Sequence, residues 1–172
     1  MIVEWNGKSW KKHNPGAPSL TDVWGAGPER VFAVGINGTV LQYDGEQWST
    51  TELDIDAHLL AVWGNGPEHV YAAGSTSGPV VYRYDGESWN RILDRDGNGL
   101  HDVWGRGPED VYVVGHRGLI MHYDGETWRT ESPPVGRYLQ EITTLGDEAM
   151  IGVGWDGCIL QKSLTDRSAD DR

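Results

Sequence analysis

One stretch of text is written three times in this chain, nearly word for word: LTDVWGAGPERVFAVGINGTVLQYDGEQW, LLAVWGNGPEHVYAAGSTSGPVVYRYDGESW and LHDVWGRGPEDVYVVGHRGLIMHYDGETW. Aligning Trp24, Trp63 and Trp104 gives spacings of 39 and 41 residues, a period that belongs to stacked or radially arranged supersecondary units. A fourth, weaker copy runs through residues 139–143, 150–154 and 158–162, and no YDGxxW text follows it. Repetition of this kind constrains architecture tightly and chemistry hardly at all.

Within the first copy, residues 20–24 alternate and stop at Gly25, after which Gly27, Pro28 and Glu29 form a turn with proline where its fixed φ helps most. Residues 31–34 are β-branched or aromatic and end at Gly35, and Asn37 with Gly38 is the strongest short hairpin signal. Residues 39–43 run into Asp44 and Gly45, which read as another two-residue turn, and the chain returns through Trp48. Turn residues recur every six to ten positions, too often for helices that average about 11 to 12 residues. Each copy therefore predicts a four-stranded antiparallel meander, with strands a to d.

A lone meander cannot bury both faces, whereas several packed around an axis do. The expectation is an all-β, four-bladed β-propeller with blades at 20–51, 59–91, 100–130, and 139–162 together with 1–12. The last blade is shared, because WNGKSW at Trp5 to Trp10 matches Tyr43 through Trp48 and supplies its missing strand d. Pairing the chain ends in this way removes an exposed sheet edge. The segment before it, residues 2–5, also matches strand c, which 158–162 already provides. A ring closed within one monomer therefore stands beside two other arrangements: strand exchange between two chains into an eight-bladed ring, and a slice of a longer propeller. Seven of the nine tryptophans occupy two repeat positions, Trp24, Trp63 and Trp104 on strand a and Trp10, Trp48, Trp89 and Trp128 on strand d. They are expected to fill the wedges between blades.

Charge narrows the partners. With 14 Lys and Arg against 26 Asp and Glu, the net charge of -12 repels phosphate backbones and anionic bilayers, so neither nucleic acid nor a membrane is the expected partner. Residues 1–12 lack a basic start followed by an apolar core, and no run approaches the roughly 20 apolar residues that a bilayer requires. A soluble, cytoplasmic chain is the resulting expectation. Cys158 is the only cysteine, so no internal disulfide forms, and its alternating apolar surroundings read as core. The polar, charged tail 163–172 reads as disordered.

The hairpin text DGEQW, DGESW, DGETW and the variant NGKSW, following strands such as VYVVG, resembles the repeats of the broad β-propeller group that includes Asp-box (bacterial neuraminidase), kelch and tectonin-type lectin repeats. The resemblance implies a propeller that binds something, with enzymes in a minority, and a site on the face that carries the b-to-c turns and d-to-a links. Those turns hold changing residues on an almost fixed frame: Ile36 and Asn37, then Ser75, Thr76 and Ser77, then His116 and Arg117, then Trp155 and Asp156. Trp155 stands outside the structural tryptophan positions; a turn-borne aromatic either stacks on a sugar face, anchors a protein partner, or packs over the link at Arg137.

Two other constellations carry chemistry. Asp94, Asp96, Asn98 and Gly99 match the opening of a D-x-D-x-N-G loop with Asp102 at the ninth position, so calcium is the one cofactor the sequence raises. The twelfth position is Gly105 rather than a bidentate Glu, and the plain alternative is a solvated turn. Asp22, Asp102 and Glu141 occupy equivalent strand a positions near the axis, with Ala61 completing the set; acids of this kind either serve glycoside hydrolysis, bind backbone or line a wet channel. Histidines 13, 58, 69, 101, 116 and 122 show no metal spacing. The expected function is a non-catalytic binding module with a protein partner, ahead of a glycan-binding lectin and a glycoside hydrolase.

Overall fold

The computed structural model describes residues 1–53, 55–131, 136–146 and 148–164. Apart from two single 3-10 turns, these residues are strands and connections, and no helix among them is long and apolar enough to cross a membrane. A two-stranded hairpin comes first, β1 (Ile2–Trp5) with β2 (Trp10–His13). Three four-stranded antiparallel meanders follow. They are β3 (Leu20–Gly27), β4 (Arg30–Gly35), β5 (Thr39–Tyr43) and β6 (Trp48–Glu52); β7 (His58–Gly66), β8 (His69–Ser75), β9 (Pro79–Tyr84) and β10 (Trp89–Asp94); and β11 (Leu100–Gly107), β12 (Asp110–Gly115), β13 (Ile120–Tyr123) and β14 (Trp128–Glu131). The last sheet has three strands, β15 (Leu139–Leu145), β16 (Ala149–Gly154) and β17 (Ile159–Ser163).

Sheets adjoin through their first strands, β3 beside β7, β7 beside β11 and β11 beside β15. Three apolar seams lie between them. Phe32, Val34 and Val40 of the first sheet meet Leu59, Val62 and Val70 of the second; Tyr71, Ala73 and Val81 meet Val103, Val111 and Val113 of the third; Tyr112, Val114 and Ile120 meet Leu139, Ile142 and Met150 of the last. The strand a tryptophans fill these wedges as expected, with Trp24, Trp63 and Trp104 packed against the three seams in turn. A β-carbon added at Gly64 would stand 2.6 Å from the Trp24 ring, and one at Gly105 would stand 2.7 Å from Trp63. At these two places a side chain would strike the indole of the sheet before. Cys158 is partly buried against the last seam.

The acidic turn differs in detail from the two-residue reading. Tyr43 pairs with Trp48, so the loop spans four residues, and Asp44 Oδ1 accepts from the N–H groups of Glu46 at 2.9 Å and Gln47 at 2.8 Å. Asp85, Asp124 and Asn6 hold their loops in the same way. The tyrosine before each aspartate donates its hydroxyl to the glycine carbonyl two residues on, at 2.9 Å from Tyr43, 2.7 Å from Tyr84 and 2.6 Å from Tyr123. Every part of YDGxxW is thus a hydrogen-bonding or stacking element of one loop.

Among the described residues, the first two strands and the last one do not share a sheet. Trp10 pairs with Trp5 across β1 and β2, and β17 pairs only with β16 among the described residues. The expected pairing of the Trp10 segment with the strand around Ile159 is not made. Locally, β1 already gives β2 a partner of four residue pairs closed by the Asn6 turn, and β17 fills the strand c place beside β16. The hairpin instead lies against the first sheet, where His13 meets the edge of Tyr43 at 6.0 Å. The tail beyond residue 164 falls outside the described residues.

Candidate functional site

The b-to-c turns and the residues ahead of strand a do share one end of the sheets. Ile36 N–H donates to Ser19 C=O at 3.1 Å, His116 N–H to Gly99 C=O at 3.0 Å, and Trp155 N–H to Tyr138 C=O at 3.0 Å. Three of these turns are the same object, with Asn37, Arg117 and Asp156 each at φ 57 and a glycine following. A left-handed backbone suits Asn and Asp but costs an Arg energy, so Arg117 is held there by the hairpin around it. The second sheet uses a different turn, in which Thr76 N–H donates to Gly78 C=O at 3.1 Å.

At this end a ladder of rings crosses from the third sheet to the last. His101 stacks on His116 with centroids 4.5 Å apart, His116 meets Tyr138 at 4.7 Å, and Tyr138 stacks on Trp155 at 4.7 Å with planes 18° apart. Trp155 donates its indole N–H to Gln140 Oε1 at 3.1 Å yet keeps 58% of its surface exposed. Arg137 and Asp156 form an ion pair beside it. Beneath, His101 Nε2 is buried with no hydrogen-bond partner. Burial, and then the neighbouring His116, hold the His101 imidazole below its usual pKa, so the base of the ladder resists protonation.

Of the residues singled out from the sequence, His116, Trp155 and Asp156 fall in or beside this ladder, with Arg117 in the His116 turn. Asn37 and Thr76 lie in the corresponding turns of the first and second sheets. His101, Tyr138 and Gln140 were not read from the sequence as members, whereas the Arg137 link was one of the places expected to meet Trp155; Tyr138 and Gln140 flank Leu139 at the start of β15, where the repeat is weakest.

The strand a acids serve the seams. Asp22 Oδ1 accepts from Val23 N–H at 2.8 Å, and its Oδ2 accepts from Val62 N–H of the next sheet at 2.7 Å. Asp102 repeats this with Val103 at 2.9 Å and Ile142 at 2.8 Å. Burial pushes the Asp102 carboxyl up to about 6, against the pull of those two N–H groups and with help from Asp22 and Glu141. Glu141 itself is exposed and has no following sheet to bridge. In the D-x-D-x-N-G loop, Asp94 ion-pairs with Arg91 at 2.8 Å while both Asp102 oxygens hold backbone. No three His, Cys, Asp or Glu residues converge as a metal cluster among the described residues.

Comparison with protein families and with curated proteins finds no match. Solved structures do match. A structure described as YCF48 bound to D1 peptide superposes with a TM-score of 0.66 at 18% identity, covering 84% of this chain and 51% of that one. YCF48 from Cyanidioschyzon merolae gives a TM-score of 0.65 at 19% identity, covering 88% of this chain and 57% of that one. The chain spans about half the length of these relatives. Together with the row of antiparallel meanders, these likenesses show a β-propeller-like repeat fold.

Proposed function

We propose that this chain is a non-catalytic protein-interaction module, and that it takes its partner on the end of the sheets that carries the His101, His116, Tyr138 and Trp155 ladder. The observation that carries the reading is the indole of Trp155, more than half exposed and clamped between a tyrosine stack and a glutamine hydrogen bond. A rigid aromatic presented this way anchors a partner with little loss of side-chain entropy. The changing residues on identical turns, Asn37 of the first sheet, Arg117 of the third and Asp156 next to Trp155 in the last, give this end of the sheets side chains that select among partners. The strand a acids argue against hydrolysis, because Asp22 and Asp102 hold backbone N–H groups across the seams. One of the similar solved structures is described as bound to a peptide, which fits the same class of use.

A peptide library screened against the purified chain tests this. Binders should lose affinity in Trp155→Ala and Tyr138→Ala and keep it in Trp10→Ala, which changes an equally exposed indole elsewhere. A silent library with a glycan-array signal removed by Trp155→Ala would replace this reading with a lectin, and turnover removed by Glu141→Gln would replace it with an enzyme.

A further inference from the structure

Apart from Met1 and Trp155, the exposed large apolar side chains among the described residues lie at the two ends of the row. Val3, Trp5 and Trp10 are on the hairpin, Val23 is on the first sheet, and Leu145, Val153 and Ile159 are on the last; the second and third sheets have none. The repeats show what is missing at each place. Val23 is 61% exposed, while Val62 and Val103 in the same register are 5% and 3%, covered by the preceding sheet. Ile159 is 73% exposed, while Val40 and Ile120 are each 1%, covered by the following sheet. One end of the row is the front half of a seam and the other end is the back half.

The remaining parts agree. Gly64 and Gly105 each lie under an indole from the sheet before, whereas the three atoms nearest a β-carbon at Gly25 belong to Val31, Arg30 and Gly27 of its own sheet, the nearest at 3.5 Å. Between the hairpin and the first sheet an apolar cavity of about 410 Å³ opens against Ile2, Leu20, Val23, Val31 and Ala33. It stands where strands a and b of a preceding sheet would lie, since the hairpin carries the text of strands c and d alone. The last sheet has strands a, b and c and, among the described residues, no strand d. Charge agrees as well: three of the four lysines, Lys8, Lys11 and Lys12, sit on the hairpin, and Glu148 is exposed in the turn between β15 and β16.

We infer that two copies of this chain join head to tail, the hairpin and first sheet of one completing the last sheet of the other, so that two arcs make one ring. The occupant is a second copy because the two open surfaces are the two halves of a seam that the chain builds three times internally. In the shared sheet, β15 and β16 of one copy lie over the open mouth of the cavity with side chains entering it, and β2 of the other takes the outer edge. The place between β16 and β2 holds one strand, so β1 and β17 compete for it and one of them leaves the sheet.

Sedimentation equilibrium on the whole chain tests this, with a mass of twice 19.1 kDa expected as concentration rises. Val23→Glu and Ile159→Glu should each return the single-chain mass with unchanged circular dichroism, since both side chains are exposed in one copy. Mixing the two variants should restore the doubled mass, because only a head-to-tail arrangement leaves one native seam between them. A single-chain mass throughout the series overturns the inference, as does a doubled mass that survives both substitutions or fails to return on mixing. If either variant loses its circular dichroism, Trp10→Ala takes its place, with loss of the doubled mass expected and its retention fatal to the idea.

Discussion

Asp44, Asp85 and Asp124 each hold a hairpin loop with one carboxylate oxygen, and Asn6 does the same without a charge. The neutral copy shows that the loop needs an acceptor rather than an ion. The three aspartates nonetheless sit below the usual carboxylate range, chiefly because backbone N–H groups favour the charged form. Asp102 moves the opposite way from the same kind of bonding, because burial outweighs its two N–H donors and raises it to about 6. The sign follows directly. A carboxyl that holds its proton more tightly in the native state stabilises the fold below its unfolded value, and that contribution is lost as pH rises through about 6. Relative to Asp102→Asn, which carries no titrating group, the wild type should therefore lose stability between about pH 4 and 7, by up to about 3 kcal/mol for a shift near two units. Urea unfolding of both proteins across that range reads the difference, and a gap independent of pH would show that Asp102 ionises as freely in the fold as outside it.

At the scale of the element, the strands were legible because turn chemistry is dense here and each strand is short. Gly35, Gly74, Gly115 and Gly154 end strand b where any side chain would strike the carbonyl of residue 19, 58, 99 or 138, so the recurring glycine after the apolar run reports a close backbone approach. The acidic loop was misjudged in length because Asp-Gly is also the two-residue hairpin signal, and only the side-chain bonds to the next two N–H groups show that four residues are used. The ladder was half legible: Trp155 stood out against the repeat, but Tyr138 and His101 join it through tertiary stacking that periodicity does not encode. The strand a glycines offer a controlled test of the seams. A β-carbon at Gly105 meets Trp63 at 2.7 Å and the Asp110 carbonyl at 2.8 Å, while one at Gly107 meets nothing within 4 Å. Gly105→Ala should cost about 2 kcal/mol, in the range of overpacked cores, and Gly107→Ala should be nearly neutral. Equal midpoints for the two variants in thermal unfolding would mean that the indole does not need that surface.

Across the whole molecule, stability is a matter of neighbours, because each sheet packs only on the sheets beside it and the row has two open ends. In such an array the stability of a unit is close to the sum of its own strands and the seams it shares. The second and third sheets share two seams each, the last sheet shares one, and the hairpin covers only part of the first sheet. The last sheet is tied back by Lys162, which pairs with Glu131 and lies 5.2 Å over the Tyr112 ring, but its other face is open at Val153 and Ile159. Local opening draws on elements with few buried contacts. Amide hydrogen exchange at low protein concentration should therefore be slowest in β8 and β12, faster in β16, and fastest in β1, β2 and β17. Raising the concentration should slow exchange in β16 and β3 first, since those strands flank the seam that a second copy would close. Exchange that is uniform along the row would show instead that the chain opens as one cooperative unit, and that the end sheets draw support from contacts beyond their immediate neighbours.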